Sequence, residues 1–200
     1  MGVSHPLLAV LLDAARGVFP PADGQVVFLP PLEGGLSAVV SLTGRAYVAS
    51  VRPVPGLDGF GSALRPAVLA ALAGPGGEVD TLDVTLAARG LGGGRLPVRT
   101  DLDEHPRVRR ARVWRTGIRV HGDERGLVTI ARGLAGRTEL SVELTGAGEW
   151  GTGRALIRDA LGLVALDEPV FAAVAPGNAR SLRAFLAVGF VPLGSEVLIR

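Results

Sequence analysis

The 200-residue sequence contains no cysteine and no lysine. Without cysteine the chain has no disulfide bond, no thiolate metal ligand and no cysteine nucleophile. All 21 basic residues are arginine, and the 19 carboxylates leave a formal net charge of only +2. Because a nucleic-acid-binding surface needs a larger excess of positive charge, we interpret the arginine content as the codon bias of a GC-rich genome and expect no nucleic-acid partner.

Histidine and long apolar runs are also scarce. The three histidines, His5, His105 and His121, are too scattered to form a recognisable zinc pattern, so no metal is predicted. No segment approaches the roughly 20 consecutive apolar residues of a membrane-spanning helix. The leucine-rich run Leu7–Leu12 is short and lacks a basic leader, which makes it a poor signal peptide. These features predict a cytoplasmic protein with no membrane contact.

What the sequence does contain is a regular succession of amphipathic segments, typical of an α/β (α+β) protein. Apolar residues at helical spacing predict helices at Leu7–Ala15, Ser62–Ala73, Thr152–Leu163 and Asn178–Val188. Alternating or continuous apolar runs predict strands at Val26–Leu29, Leu36–Leu42, Ala46–Val51, Thr81–Ala87, Ala111–Val120, Leu127–Ala131, Thr138–Leu144, Val170–Ala175 and Val191–Ile199.

A polar, glycine-rich passage, Gly90–His105, interrupts this succession. We place a domain boundary within it, between a smaller N-terminal α/β lobe (residues 1–98) and a C-terminal domain (residues 99–200). Both halves contain strands, a glycine-led helix and a further strand, and Gly59–Leu64 loosely resembles Gly151–Leu156. One hypothesis is an ancient duplication with a degenerate N-terminal copy. The edge strands and apolar content of this lobe also suggest a homodimer as a further hypothesis.

The segment richest in chemical information begins at Thr138, where a strand runs into a glycine-rich loop that opens a helix. Glycines allow backbone N–H groups to approach a ligand closely, and a helix N-terminus adds unpaired donors and the positive end of the helix dipole, which suits a pyrophosphate. No Lys-Ser/Thr follows the glycines, which excludes a P-loop. Gly146, Gly148 and Gly151 match the dinucleotide-binding pattern G-x-G-x-x-G, although fewer than 50 residues remain after it. That alternative and a loop without a ligand stay open.

A second signal lies downstream of this loop. Asn178 is a good helix N-cap and Gly189 is a good C-terminal glycine for the same helix. The turn Gly151-Thr152-Gly153 before one helix, together with Asn178 and Gly189-Phe190 around the next, resembles the ending of the GNAT family of N-acetyltransferases. The resemblance covers about Val113–Arg200.

The resemblance implies an α+β fold with a mixed central sheet flanked by helices. It also implies an acyl-CoA-dependent N-acetyltransferase with acetyl-CoA as acyl donor and an unidentified amine as acceptor. Acyl-CoA would bind where two neighbouring parallel strands, Thr138–Leu144 and Val170–Ala175, splay apart. The amine would attack the thioester directly, with a backbone N–H stabilising the developing oxyanion. The residues expected to contact acetyl-CoA are Val142, Leu144, Gly148, Gly151, Thr152, Gly153, Arg154, Asn178, Ser181 and Phe185.

Two positions depart from the family's pattern. Gly148 stands where the family's loop usually has Arg or Gln, so part of the pyrophosphate affinity is expected from Arg154. Phe185 stands where the family often has the tyrosine that protonates the leaving thiolate, and a phenyl ring cannot donate a proton. The alternative function is therefore a GNAT-like acyl-CoA-binding protein with little or no catalysis.

The candidate general bases are carboxylates near the splayed strand. Glu139 and Glu143 share one face of that strand and are the preferred catalytic candidates. Asp123 and Glu124 in the preceding turn are alternatives, as is His121, which we expect to be exposed.

Between His105 and Val120 lie six arginines interleaved with apolar residues. The interleaving predicts strands with one apolar face and solvated arginines on the other. The alternative is an anionic partner, such as the CoA 3′-phosphate, an acidic substrate or nucleic acid.

Overall fold

The computed structural model describes residues 4–52, 54–146 and 151–200. Within these residues the chain forms five α-helices and nine β-strands, so the expectation of an α+β protein is confirmed. The helices are α1 (Pro6–Ala15), α2 (Pro66–Ala73), α3 (Pro106–Trp114), α4 (Thr152–Gly162) and α5 (Ala179–Ala187). The strands are β1 (Val26–Leu29), β2 (Ser37–Leu42), β3 (Arg45–Ala49), β4 (Asp83–Arg89), β5 (Thr116–Asp123), β6 (Gly126–Arg132), β7 (Thr138–Leu144), β8 (Pro169–Val174) and β9 (Val191–Ile199).

Most predicted elements are present with small shifts at their ends, but the helix predicted over Ser62–Ala73 is broken. Ser62–Leu64 form a short 3₁₀ turn, and α2 begins only at Pro66. Arg65 is extended (φ −65°, ψ 139°), which is the conformation that a following proline favours. The proline therefore starts a new helix instead of continuing the first turn.

The prediction of a strand over Ala111–Val120 is wrong for its first part. The arginine-rich run forms helix α3, and β5 begins only at Thr116. The buried residues of α3 lie three apart in the sequence, which puts them on one helical face: Val108, Ala111 and Trp114. The sequence interpretation gave too much weight to local alternation and missed this spacing.

The start of α3 has a clear local cause. His105 caps the helix by accepting a hydrogen bond through Nδ1 from the N–H of Arg107 (3.2 Å). Pro106 occupies the first helical position, where its missing N–H costs nothing. The arginines of this run are therefore carried by a helix and not by a strand face.

Contacts divide the chain into two compact units, Met1–Thr85 with Pro192–Arg200, and Leu86–Val191. Unit 1 thus contains nearly all of β9, and unit 2 contains α3, α4 and α5. The domain boundary expected at residue 98 stays a prediction.

Unit 1 contains a mixed sheet in the order β1-β3-β2-β9. β1 runs parallel to β3, whereas β2 is antiparallel to both β3 and β9. Its core combines residues from the start and the end of the chain: Val39, Ala46, Val48, Ala63, Leu72, Val197 and Ile199. Burial of these apolar side chains is the main stabilising contribution to the unit.

Unit 2 contains the candidate site. β5, β6 and β7 form an antiparallel meander, and β7 is followed by the parallel strand β8, with β4 beyond it. Helix α4 connects β7 to β8, and α5 follows β8. The carboxyl ends of β7 and β8 and the N-termini of α4 and α5 therefore meet at one edge of this sheet, where open α/β sheets bind ligands.

Candidate functional site

The neighbouring parallel strands β7 and β8 are paired only where they begin. In the part of the chain that the structure describes, their ladder contains one paired position, Glu139 with Phe171. On its other side β7 is paired with β6 without interruption, from Thr138 opposite Arg132 to Leu144 opposite Gly126. β7 is thus held along its whole length by β6, and its second half has no ladder to β8.

The direction of the free backbone groups follows from the pairing with β6. The N–H of Thr145 donates to the carbonyl oxygen of Arg125 (2.9 Å), the residue opposite it, so odd-numbered residues of this segment point their backbone groups at β6. The even-numbered residues Val142 and Leu144 then point theirs towards β8. These groups face the gap between the strands, where the resemblance requires backbone donors and acceptors.

The paired end of the two strands is locked by a buried ion-pair network around Glu139, a side chain that is 4% exposed. Its carboxylate accepts hydrogen bonds from Nε of Arg137 (2.9 Å), from the N–H of Leu134 (2.9 Å) and from Nε of Arg115. Arg137 is itself fully buried, and its guanidinium lies 5.0 Å from the ring centroid of Phe171. One network thereby ties β7, β8 and the residue after α3 together.

This environment decides the ionisation of Glu139. Burial alone would raise the pKa of its carboxyl group, but attraction to Arg115 and Arg137 and the hydrogen bond from Leu134 outweigh that effect and hold the pKa at about 2. So weakly basic a carboxylate has little power to deprotonate an ammonium group. We therefore interpret Glu139, a candidate general base, as a structural residue that holds the paired ends of β7 and β8 together.

Glu143 lies on the same face of β7 but in an open position. Its side chain is 44% exposed, and its Oε2 lies 3.7 Å from Nη1 of Arg107 on α3. Ser141, between the two glutamates, forms a hydrogen bond with Thr129 (2.7 Å). Of the two preferred base candidates, Glu143 is the one with access to a reacting group beside the free half of β7.

The first turn of α4 brings glycines to this edge. Gly151 caps the helix with φ +97°, and a Cβ built on Gly146 or Gly151 would meet no atom of the described residues within 4 Å. A Cβ built on Gly153 would lie 3.5 Å from the side chain of Leu144, so this turn packs against the end of β7. Thr152 and the half-buried Arg154 belong to the same turn. The predicted contact Gly148 lies outside the described residues.

The N-terminus of α5 is built as the sequence predicts. Oδ1 of Asn178 accepts a hydrogen bond from the N–H of Ser181 (3.1 Å), which makes Asn178 the N-cap. Asn178 is exposed and Ser181 is half-buried. The two residues therefore share one turn at the carboxyl end of β8.

Phe185, which was predicted to contact acetyl-CoA, is buried in the protein core. Its side chain is 3% exposed, and its ring packs edge-to-face on Phe190, with centroids 4.8 Å apart and planes at 88°. This geometry is the favourable one for aromatic pairs. Phe185 is a core residue that joins α5 to the start of β9.

The remaining base candidates are held by other contacts. His121, expected to be exposed, is 8% exposed, and its Nδ1 donates to the carbonyl oxygen of Leu96 (3.0 Å). Asp123 forms an ion pair with Arg125 (2.6 Å), and hydrogen bonding from Arg125 lowers the pKa of that carboxyl. Glu124 is exposed. No local sequence pattern indicates the burial of His121, because the residues that cover it, Leu96 and Val98, are more than 20 positions away.

A cleft of about 550 Å³ lies beside the C-terminal half of α4. It is lined by Leu91–Pro97, Asp123, Arg125, Arg158, Asp159 and Gly162. Arg125 bridges Asp123 and Asp159 (2.6 and 2.7 Å) across it. Arg125 also reaches the end of β7, because its carbonyl oxygen accepts a hydrogen bond from the N–H of Thr145 (2.9 Å).

Within residues 4–52, 54–146 and 151–200, no group of three or more His, Asp or Glu side chains is placed to hold a metal ion. In the same ranges no helix combines the length and the hydropathy that crossing a membrane requires.

Comparison with known proteins gives little. No protein-family model matches the sequence, and no curated protein matches it. Among solved structures, one that is similar is a functionally unknown conserved protein from Staphylococcus epidermidis, with a TM-score of 0.41 and 14% sequence identity. The similarity covers 68% of this chain and 66% of that protein. A structural similarity this low gives no information about function.

Proposed function

We propose that the chain is an acyl-CoA-dependent N-acetyltransferase of the GNAT type, which transfers an acetyl group from acetyl-CoA to an amine. The observation that carries the proposal is the pairing of β7 and β8 at one position only, with the backbone groups of Val142 and Leu144 facing the resulting gap. The family resemblance places the pantetheine arm of acyl-CoA in a gap of this kind. Acyl-CoA donors are intracellular metabolites, so the proposal includes a cytoplasmic location.

The residues around the gap fit such a donor. Val142 and Leu144 offer backbone hydrogen bonds to an extended chain that replaces a strand partner. The glycine-led first turn of α4 leaves space for phosphate groups at the positive end of the helix. Gly151, Thr152, Gly153 and Arg154 would hold them there, and Asn178 and Ser181 line the other side.

The chemistry requires one proton acceptor and one oxyanion donor. Bound acetyl-CoA supplies the acetyl group as a thioester. Glu143 accepts a proton from the acceptor ammonium, and the nitrogen lone pair forms the new bond to the acyl carbon as the C–S bond breaks. A backbone N–H that faces the gap stabilises the charge that develops on the acyl oxygen. The nitrogen loses its second proton to water, and water returns one to the thiolate.

A second candidate function rests on Phe185. Because its ring is buried against Phe190 and has no acidic proton, the chain offers no proton donor at the position where the family often has tyrosine. The alternative is therefore an acyl-CoA-binding protein with little or no turnover.

Calorimetric titration separates these functions. We expect acetyl-CoA to bind and NAD not to bind, and we expect acetyl-CoA with a panel of amines to release free thiol. Binding without thiol release would favour the second candidate. Binding of NAD alone, or of neither ligand, would contradict both.

Replacement of the base gives a sharper test. Glu143→Gln should lower kcat/KM for thiol release roughly 10²- to 10⁴-fold, because it removes the proton acceptor. Its free energy of unfolding should change by less than about 0.5 kcal/mol, since the side chain is largely exposed. The matched control is Glu104→Gln, an exposed carboxylate of the same unit, which should leave both quantities unchanged. Equal losses in the two variants would remove Glu143 from the mechanism.

A further inference from the structure

Arg107 has an environment that its contacts do not explain. Its side chain is 38% exposed, but its Nε is buried and has no hydrogen-bond partner among the described residues. Its one ion pair in that part of the chain is the 3.7 Å contact with Glu143, which is longer than a charge-assisted hydrogen bond. A buried N–H donor without a partner costs free energy comparable to a lost hydrogen bond.

The surroundings of Arg107 add positive charge. It occupies the first turn of α3, which carries the positive end of the helix dipole, and that turn contains no acidic residue. Burial lowers the pKa of Arg107, Glu143 opposes this, and the charges of Arg115 and Arg110 lower it further. The carboxylate of Glu139 is already paired with Arg115, so it does not compensate the charge of Arg107. Glu143 is the one carboxylate of the described residues at ion-pair distance from Arg107, and it leaves Nε of Arg107 without a hydrogen-bond partner, so this position favours a further anion.

The position of this locus determines which anion would use it. Nη1 of Arg107 lies 3.7 Å from the Glu143 carboxylate, which is the proton acceptor of the proposed reaction. In an α-amino acid the nitrogen and the carboxyl carbon are roughly 2.5 Å apart, by standard backbone dimensions. One such molecule can therefore place its ammonium at Glu143 and its carboxylate at Arg107, forming a paired and bidentate contact of the kind for which arginine is suited.

We propose that the acceptor is an amino acid, and that Arg107 selects it by binding the carboxylate next to the reacting amine. The inference rests on the proposed function, because it takes Glu143 as the base. It goes further by naming the acceptor class and the residue that sets specificity.

The test compares each amino acid with the amine that lacks its carboxylate. Alanine is compared with ethylamine, leucine with 3-methylbutylamine, and phenylalanine with phenethylamine, by acetyl-CoA-dependent thiol release. We expect at least one amino acid to exceed its partner amine tenfold or more in kcat/KM. Arg107→Gln should then raise KM for that amino acid about 10- to 100-fold, and by more than it raises KM for the partner amine, while KM for acetyl-CoA stays within about twofold. Arg109→Gln, an exposed arginine of the same helix, is the matched control and should change none of these values.

Direct titration covers the case in which the chain does not turn over. Amino acids and their partner amines are titrated into the wild-type protein saturated with acetyl-CoA or CoA, and into Arg107→Gln. The expected result is carboxylate-dependent binding that Arg107→Gln weakens tenfold or more. The inference is overturned if amines without a carboxylate bind or react as well as the amino acids, or if Arg107→Gln and Arg109→Gln behave alike. If acetyl-CoA itself does not bind, it is the proposed function that has failed.

Discussion

At the scale of single residues, Glu139 and Glu143 show how position on one strand separates two chemically identical groups. Both carboxylates lie on the same face of β7, four residues apart. Glu139 sits at the paired end of the strands among two arginines and a backbone N–H, whereas Glu143 sits at the open end beside one distant arginine. The contacts of Glu139 stabilise the fold, whereas the carboxylate of Glu143 stays accessible to a ligand.

Replacement of Glu139 should therefore affect stability far more than activity. We expect Glu139→Gln to lower the free energy of unfolding by about 3–5 kcal/mol, because it removes the buried carboxylate that is paired with Arg137 and Arg115. Urea denaturation at neutral pH measures this loss. A change below about 1 kcal/mol would mean that the network contributes little to stability.

The same residue predicts an acid transition. A carboxyl group with a folded-state pKa of about 2 and an ordinary value near 4.5 contributes stability that is fully present above pH 4.5. That contribution is lost as the pH falls from about 4.5 towards 2. The stability of the wild-type protein should decline across this window, and Glu139→Gln should lack this part of the decline. Parallel pH profiles for the two proteins would contradict the prediction.

At the scale of elements, the turn that begins α5 combines a structural role with a proposed ligand contact. Asn178→Ala removes the side-chain acceptor for the N–H of Ser181 and should cost about 1 kcal/mol of stability. Asn178→Asp keeps the cap and should retain the stability, but it adds a negative charge beside the proposed phosphate site. We therefore expect the aspartate variant to fold normally and to bind acetyl-CoA more weakly, as calorimetry can show. Unchanged affinity in the aspartate variant would exclude Asn178 from the binding site.

The elements themselves were largely predictable, and the reasons for the exceptions are physical. β1, β7 and β9 have the predicted bounds because their apolar runs end at turn residues. The second part of α3 was predicted as a strand. Its apolar residues, such as Ala111 and Val113, alternate with arginines, and this alternation is also the pattern of a half-buried strand. A helix packed by one residue per turn gives a weak periodic signal, and its cap, His105, is an uncommon one.

The candidate site was predictable only in outline. The strand, the glycine turn and the Asn178 cap are local patterns, and each lies where the sequence places it. The ion pair of Arg115 with Glu139 and the contact of Arg107 with Glu143 join residues 24 and 36 positions apart, which no local pattern encodes. The choice between the two glutamates therefore depended on the fold.

At the scale of the whole molecule, unit 1 depends on the end of the chain. Ile199 is 2% exposed and belongs to the same core as residues of β2 and β3. Ile199→Ala should lower the free energy of unfolding by about 2–5 kcal/mol. Val191→Ala, in the same strand but 52% exposed, is the matched control and should cost much less.

The sole tyrosine of the chain makes this prediction specific. Tyr47 lies buried on β3 within unit 1, so its ring resonances report on the packing of that unit. Ile199→Ala should shift or broaden them at temperatures where the wild-type protein is unaffected. Ring signals that stay unchanged up to the midpoint of unfolding would show that β9 is not needed for the local order of β3.

The grouping of β9 with the N-terminal unit has a consequence for biosynthesis. β2 pairs with β9 over five positions, so one side of β2 has no partner until residues 192–200 have been made. Translation of the roughly 150 residues between β2 and β9 takes on the order of 8–30 seconds at ordinary ribosomal rates. During that interval the nascent chain presents an open strand edge, which is a template for pairing with other chains. The yield of folded protein should therefore depend on the rate of translation and on chaperones that bind the unpaired edge of β2.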